Sequence, residues 1–136
     1  MAKKIISVVV AALAAFVVIY AVEALGHAVY PPPAGVDWKN PEAIRAYVAG
    51  LPLGAFGFVL LAYAVGSLVG GALATLISGR ASVVPGLVVG GLLMVAGVAN
   101  LSVVPHPLWF AIVSTLLYLP LAWLGSSALI RSAGSL

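Results

Sequence analysis

The side chains with the greatest capacity for chemistry lie toward the end of the first apolar segment. Glu23 is the only acid inside an apolar run, and His27 is one of the two histidines of the chain. Residues four apart on a helix share a face, and Tyr20 and Tyr30 continue that stripe three positions before Glu23 and three after His27. Because a carboxylate is costly inside a bilayer and marks a functional site there, these four side chains predict a ligand-binding site.

A second group of polar residues is predicted at the same depth of the membrane. Asn100 lies four residues before the expected end of the third span, and His106 lies in the corner that follows. Asn100 also continues the stripe formed by Gly86, Gly90 and Gly97, so its side chain is expected to point into the bundle. Together with the side chains of the first span, Asn100 and His106 predict one polar pocket beneath the outer surface.

Three kinds of ligand chemistry fit these side chains. His27, His106 and Glu23 are of the types that bind zinc or another borderline cation, with Asp37 or a neighbouring subunit needed for a further ligand. The two histidines are also of the type that ligates haem from both sides, although no haem motif accompanies them. A proton-coupled carrier would use Glu23 as its titrating group. The sequence therefore leaves the cofactor unknown.

The same residues have a structural interpretation in which no ligand binds. Glu23 would be hydrogen-bonded inside the bundle, His27 would lie at the membrane interface, Asn100 would bond between helices, and His106 would stiffen a corner between two prolines. An enzyme is disfavoured, because no Gly-x-Ser-x-Gly elbow occurs. The serines inside the spans are expected to bond to the backbone of their own helices: Ser67, Ser102 and Ser114.

Composition predicts a membrane protein. Of the 136 residues, 64% are hydrophobic and 7% charged, and the mean hydropathy is +1.25. A soluble domain is about 45–50% apolar and about 25% charged. The absence of cysteine excludes disulfides, thiolate metal sites and a cysteine nucleophile. The net charge of +3 lies at the span ends, which indicates a topology signal rather than a nucleic-acid surface.

The elements that must position the polar residues are four membrane-spanning helices. Apolar runs predict spans at about residues 5–30, 53–77, 83–104 and 108–130 in a single transmembrane domain over residues 1–136. The first run is too long for a signal peptide, so it is expected to be kept. Between spans one and two, Asn40 as N-cap and Pro41 at the first helical position predict a short amphipathic surface helix at about 41–49. The predicted fold is therefore an all-α integral membrane four-helix bundle.

The basic residues predict the orientation of the spans. Four fall at the end that carries both termini, namely Lys3, Lys4, Arg80 and Arg131. Lys39 and Arg45 fall in the loop at the other end. A multi-pass protein with both termini in the cytoplasm is therefore expected, with the surface helix and the polar pocket on the outer side.

Glycines at four-residue spacing mark close helix contacts in the second and third spans. Gly66 and Gly70 form one row, and Gly86 and Gly90 form another. Such rows let helix backbones approach closely inside a bilayer. They favour packing of the second span against the third within one chain, with a homo-oligomer contact as the alternative.

Three stretches carry a resemblance to known sequences. They are Glu23-Ala-Leu-Gly-His27-x-x-Tyr30-Pro-Pro-Pro, Leu51-Pro-Leu-Gly, and Asn100-Leu-x-x-x-Pro105-His-Pro-x-Trp109. Together they resemble a group of small four-span bacterial inner-membrane proteins to which no activity is assigned. The resemblance covers nearly the whole chain and implies a bacterial inner-membrane location. It implies no ligand and no catalytic residue.

The function expected from these observations is non-enzymatic. The first hypothesis is a membrane protein whose outward-facing polar pocket binds a small ligand, a cation or a proton, as part of a small carrier. The second is an accessory or structural subunit in which the polar side chains brace the bundle. The third is a metal- or haem-binding membrane protein.

Overall fold

The computed structural model describes residues 2–134, and α-helices joined by loops make up all of its regular secondary structure, with no strand among those residues. Its helices are α1 (Ala2–Val29), α2 (Pro41–Ala49), α3 (Leu53–Ser78), α4 (Val84–Val103) and α5 (Leu108–Gly134). Four of them, all except α2, are long and apolar enough to cross a membrane. The chain is therefore an integral membrane protein, and the predicted all-α four-helix bundle with a short helix between the first two spans is confirmed.

Local sequence explains where the helices begin and end. The side chain of Asn40 accepts a hydrogen bond of 3.0 Å from the backbone N–H of Glu42, and Pro41 occupies the first turn of α2, as the sequence predicts. At the end of α3, Gly79 adopts a left-handed conformation with φ of 107°. The N–H of Arg80 then donates to the Thr75 carbonyl at 2.9 Å, which satisfies a terminal carbonyl of α3.

The four spans form a bundle in which α3 is the central helix. α3 packs against α1, α4 and α5, while α4 also contacts α1 and α5. Within residues 2–134, α1 and α5 have no close backbone contact. We call the end with α2 and the α4–α5 corner the α2 end, and the opposite end, with both chain termini and the α3–α4 turn, the terminal end. The α2-end halves of α1, α3 and α4 therefore carry the side chains nearest α2.

Glycines on α3 and α5 bring the backbones of these two helices into direct contact. A Cβ on Gly71 would meet the backbone of Ala122 on α5, and one on Gly125 would meet the Leu68 carbonyl on α3. The hydroxyl of Ser126 reinforces this seam by donating a hydrogen bond of 3.0 Å to the Gly71 carbonyl. Such contacts are the main source of association between helices inside a bilayer, where no hydrophobic drive operates.

The predicted packing of the second span against the third through the glycine rows is confirmed in part. Gly66 and Gly70 lie against α1, where an added Cβ would meet Ile19 and Ala15, and Gly70 also approaches Val89 of α4. The glycines of α4, Gly86 and Gly90, lie against α5, and Gly86 also approaches the Gly71 carbonyl of α3. All four are buried within the chain, and the homo-oligomer contact through them stays a prediction.

The serines of the spans follow the prediction in part. Ser102 donates to the Ala99 carbonyl at 2.6 Å and Ser114 to the Ala111 carbonyl at 3.3 Å, as expected. Ser67 does not, since its buried hydroxyl has no partner among the described residues. Its neighbourhood on α3 is fully packed, which leaves the hydroxyl enclosed.

We expect Gly71→Ala to lower the free energy of unfolding by about 1–3 kcal/mol, because overpacking forces helices apart. The added Cβ would lie 2.8 Å from the Cα of Ala122, a backbone atom that has no rotamer to change. Gly57→Ala on the same helix is the matched control, because its Cβ meets nothing within 4 Å. Thermal unfolding in detergent, followed by circular dichroism, measures both. Equal unfolding midpoints for the two variants would contradict a direct backbone contact between Gly71 and Ala122.

Candidate ligand cavity beside Glu23

The last turns of α1, at the α2 end, place three polar side chains around one cavity. Glu23, His27 and Tyr30 all line it, which follows from their spacing along one helical face. Gly26 lies between them and is buried against α3, where an added Cβ would be 2.8 Å from the Cβ of Phe58. The missing side chain at Gly26 therefore lets α3 approach α1 and wall the cavity.

The cavity has a volume of about 150 Å³, which is room for several water molecules. His106, from the corner between α4 and α5, also lines it. The remaining walls come from α2, the loop after it, and α3: Tyr47, Val48, Leu51, Ala55, Phe58 and Val59. Polar atoms from α1 and the corner thus face apolar and aromatic side chains from α2 and α3.

The corner fixes the His106 ring and its tautomer. Nδ1 of His106 lies 2.7 Å from the Val104 carbonyl oxygen. Because a carbonyl only accepts, Nδ1 must carry the proton, and Nε2 of the neutral ring keeps its lone pair. The ring also stacks on Phe110, with centroids 4.9 Å apart and an angle of 14°. His106 is therefore a preorganised hydrogen-bond acceptor.

The surface helix α2 forms the roof of this cavity. Val48 is buried in a cluster with Phe56 and Phe110. Tyr47 lines the cavity, and its ring meets Trp38 edge-on at 5.3 Å. Closure of the cavity at the α2 end therefore depends on α2 staying docked.

Glu23 also lines a second cavity, of about 210 Å³, on the α4 side of α1. Asn100 lines this second cavity and is absent from the first, together with Tyr63 and Tyr118. The sequence predicted one pocket for all the polar side chains. The structure instead divides them between two cavities, with Glu23 common to both.

Tyr20 is a correction to the predicted site. Its side chain is 76% exposed on the outside of the bundle, and it lines neither cavity. The adjacent residue Ile19 is buried against α3, and successive residues on a helix point about 100° apart, which turns Tyr20 away. The stripe that reaches the cavity therefore begins at Glu23.

The sequence reasoning missed the two tyrosines inside the spans. Tyr118 is almost fully buried, and Tyr63 is partly buried beside Asn100. Gly97 makes room for Tyr118, since an added Cβ would clash with the phenol oxygen. The sequence could have identified them, because a hydroxyl in the middle of a span needs a hydrogen-bond partner as much as the Asn100 amide does.

The predicted metal site from His27, His106 and Glu23 needs correction too. These residues line one cavity, but within residues 2–134 no group of three or more His, Cys, Asp or Glu side chains is arranged to hold a metal ion. The His106 ring itself is not the obstacle, since Nε2 keeps its lone pair; the three groups are not placed so that they could share one ion.

Comparison with known proteins leaves the geometry as the basis for function. The chain matches no protein-family model, no curated protein and no solved structure. The features that remain are an acid, two imidazoles and two phenols around one cavity roofed by α2.

We expect Val48→Asp to detach α2 and open the cavity, because it places a charge in the cluster with Phe56 and Phe110. The chain has no cysteine, so Val59→Cys introduces a single thiol on the cavity wall. Its labelling by a water-soluble maleimide should be faster in the Val48→Asp background by about tenfold or more, the change for roughly 1.4 kcal/mol of lost docking. Ala46→Asp, on the exposed face of α2, is the control and should leave the rate unchanged. Equal rates in both backgrounds would show that α2 is not the roof.

Proposed function

We propose that this integral membrane protein binds a small ammonium-type cation in the cavity under α2 and acts as a small carrier. The observation that supports the proposal is the meeting of Glu23, the only acid within a span, with hydrogen-bond acceptors and aromatic rings around one cavity. A partly buried carboxylate within a membrane span needs a compensating positive charge or hydrogen-bond donors. A cation with N–H groups supplies both.

The acceptors of the cavity define the ligand. Ionised Glu23 only accepts hydrogen bonds, and Nε2 of His106 accepts because its Nδ1 is committed to the Val104 carbonyl. The phenol oxygen of Tyr30 accepts as well. A ligand that donates several hydrogen bonds and carries positive charge complements this set, whereas an anion would be repelled by Glu23.

The aromatic walls favour the same class of ligand. Tyr30 and Phe58 meet edge-on at 6.1 Å, and Tyr47 lines the cavity from α2. Ring faces attract ammonium groups, with a contribution of about 0.5–2 kcal/mol for each well-placed contact. The cavity of about 150 Å³ restricts the ligand to a small amine.

Carrier action would follow from competition at one carboxylate. Protonated Glu23 presents no charge, so a proton and a cation cannot both occupy it. Ligand binding is therefore expected to weaken as the pH falls. Exchange of a cation for a proton at a single acid is the simplest coupling that one span carboxylate provides.

We expect Glu23→Gln to weaken the binding of methylammonium by at least about tenfold, or 1.4 kcal/mol, because the amide keeps the shape and removes the charge. Isothermal titration of the purified protein measures this, with sodium chloride at the same ionic strength as the reference. Glu42→Gln, at an exposed position on α2, is the matched control and should change the affinity less than about twofold.

Three results would contradict the proposed cation site or favour another function. Failure of the unaltered protein to bind methylammonium at any pH would end the proposal. A lower unfolding midpoint in Glu23→Gln, without ligand binding in either form, would favour the structural subunit. Equal affinities for the two variants would place the cation elsewhere.

We further propose that the protein lies in a bacterial inner membrane with its α2 end outward. Four basic residues at the terminal end support this orientation: Lys3, Lys4, Arg80 and Arg131. Lys3 lies beside the α3–α4 turn, where its amino group is 3.9 Å from a Cβ built on Gly79. Basic residues favour the cytoplasmic side. The resemblance to small four-span inner-membrane proteins agrees with this location.

Single cysteines test the orientation. Ala34→Cys at the α2 end and Ala81→Cys at the terminal end are matched exposed positions in a chain without cysteine. A membrane-impermeant maleimide added to spheroplasts should label only Ala34→Cys, and permeabilised cells should label both. Labelling of Ala81→Cys alone in intact spheroplasts would reverse the orientation.

A further inference from the structure

The cavity between α1 and α4 differs from the one under α2 in both walls and mouth. Its volume is about 210 Å³. The polar side chains that line it are those of Glu23, Tyr63, Asn100 and Tyr118. Its other walls are apolar or lack a side chain: Phe16, Ile19, Leu93, Ala96 and Gly97.

The mouth of this cavity faces the hydrocarbon of the membrane. Phe16 and Ala96 are exposed at its rim, and both lie within helices that cross the bilayer. Ile19 and Leu93 are buried and form its inner wall. An occupant therefore arrives from the lipid, because no aqueous phase borders the middle of a span.

The inside of this cavity requires hydrogen bonds that lipid tails cannot provide. Glu23 and the phenols of Tyr63 and Tyr118 line this cavity, and Glu23 also borders the cavity under α2. Polar groups facing hydrocarbon without partners cost several kcal/mol each. The occupant must therefore have a polar head that donates and accepts hydrogen bonds, and an apolar tail at the rim.

We propose that this second cavity binds a single-chain amphiphile with a hydroxyl or amine head, taken up laterally from the bilayer. The head hydrogen-bonds with Glu23, Tyr63 and Tyr118, and the tail leaves between α1 and α4 past Phe16 and Ala96. A fatty acid is disfavoured, since its carboxylate would face Glu23, a like charge. This binding goes beyond the proposed cation site and shares only Glu23 with it.

Photo-crosslinking in liposomes tests the proposal with three probes that carry a diazirine on a hexadecyl chain. The probes have an alcohol, an amine or a carboxylate head. The alcohol and amine probes should crosslink to the facing segments of α1 and α4 within residues 16–23 and 93–100, and excess unlabelled hexadecanol should suppress this crosslinking saturably. The carboxylate probe should label these segments about tenfold less.

A matched pair of variants localises the binding. Ala96→Phe fills the mouth of the second cavity and should reduce labelling by the alcohol probe about tenfold. Ala99→Phe adds the same ring at an exposed position of α4 that lines neither cavity, and it should leave labelling unchanged. Size-exclusion profiles check that both variants stay folded.

The contrary results overturn the proposal. Labelling that unlabelled hexadecanol does not suppress, or that spreads evenly over all exposed span faces, would mean that only bulk lipid contacts α1 and α4. This competition requires no variant, so it decides the matter even if Ala96→Phe does not fold. Titration of methylammonium on the same variants separates the two proposals, because Ala96→Phe should leave cation binding in the first cavity intact.

Discussion

The direct contact of the α3 and α5 backbones is the constraint on which the rest of the bundle depends. Gly71 lies against Ala122, Gly125 lies against Leu68, and no side chain intervenes at either point. Inside a bilayer, this closeness replaces the hydrophobic drive that would hold a soluble bundle together. With α3 fixed in this way, α1 and α4 take their positions from it, and so do the groups they carry.

Residue size changes along the bundle, and the cavities follow that change. Glycine, alanine and serine fill the contacts toward the terminal end, as at Gly86 and Ser126. Rings fill the contacts toward α2, as at Phe56, Phe110 and Tyr63. Large flat side chains cannot close every gap between helices, so space remains on either side of α1. Glu23 occupies the boundary between these two spaces.

The sequence was sufficient for the elements and for part of the site. Long apolar runs predict the spans because crossing a bilayer needs about 20 apolar residues, and the Asn40–Pro41 cap predicts α2. Helical spacing also places Glu23, His27 and Tyr30 together. However, the spacing of residues within one helix does not show which neighbouring helix each face contacts. Those contacts determine which of the remaining side chains line a cavity. Tyr20 turned outward, and Asn100, although exposed, lines the second cavity with Tyr63 and Tyr118, because the contacts of α3 and α4 set the rotation of each helix.

The attachment of α2 has a consequence for the rate at which anything enters. In residues 2–134, α2 shares no close backbone contact with the spans and is held through side chains, of which Val48 is the most buried. Burying a valine is worth about 1.5–3 kcal/mol. A lifted state at that free energy is occupied by about 0.6–7% of molecules. Lifting α2 would break no hydrogen bond within a span. The rate at which α2 lifts, rather than the depth of the cavity, would therefore limit the exchange of cavity contents with water.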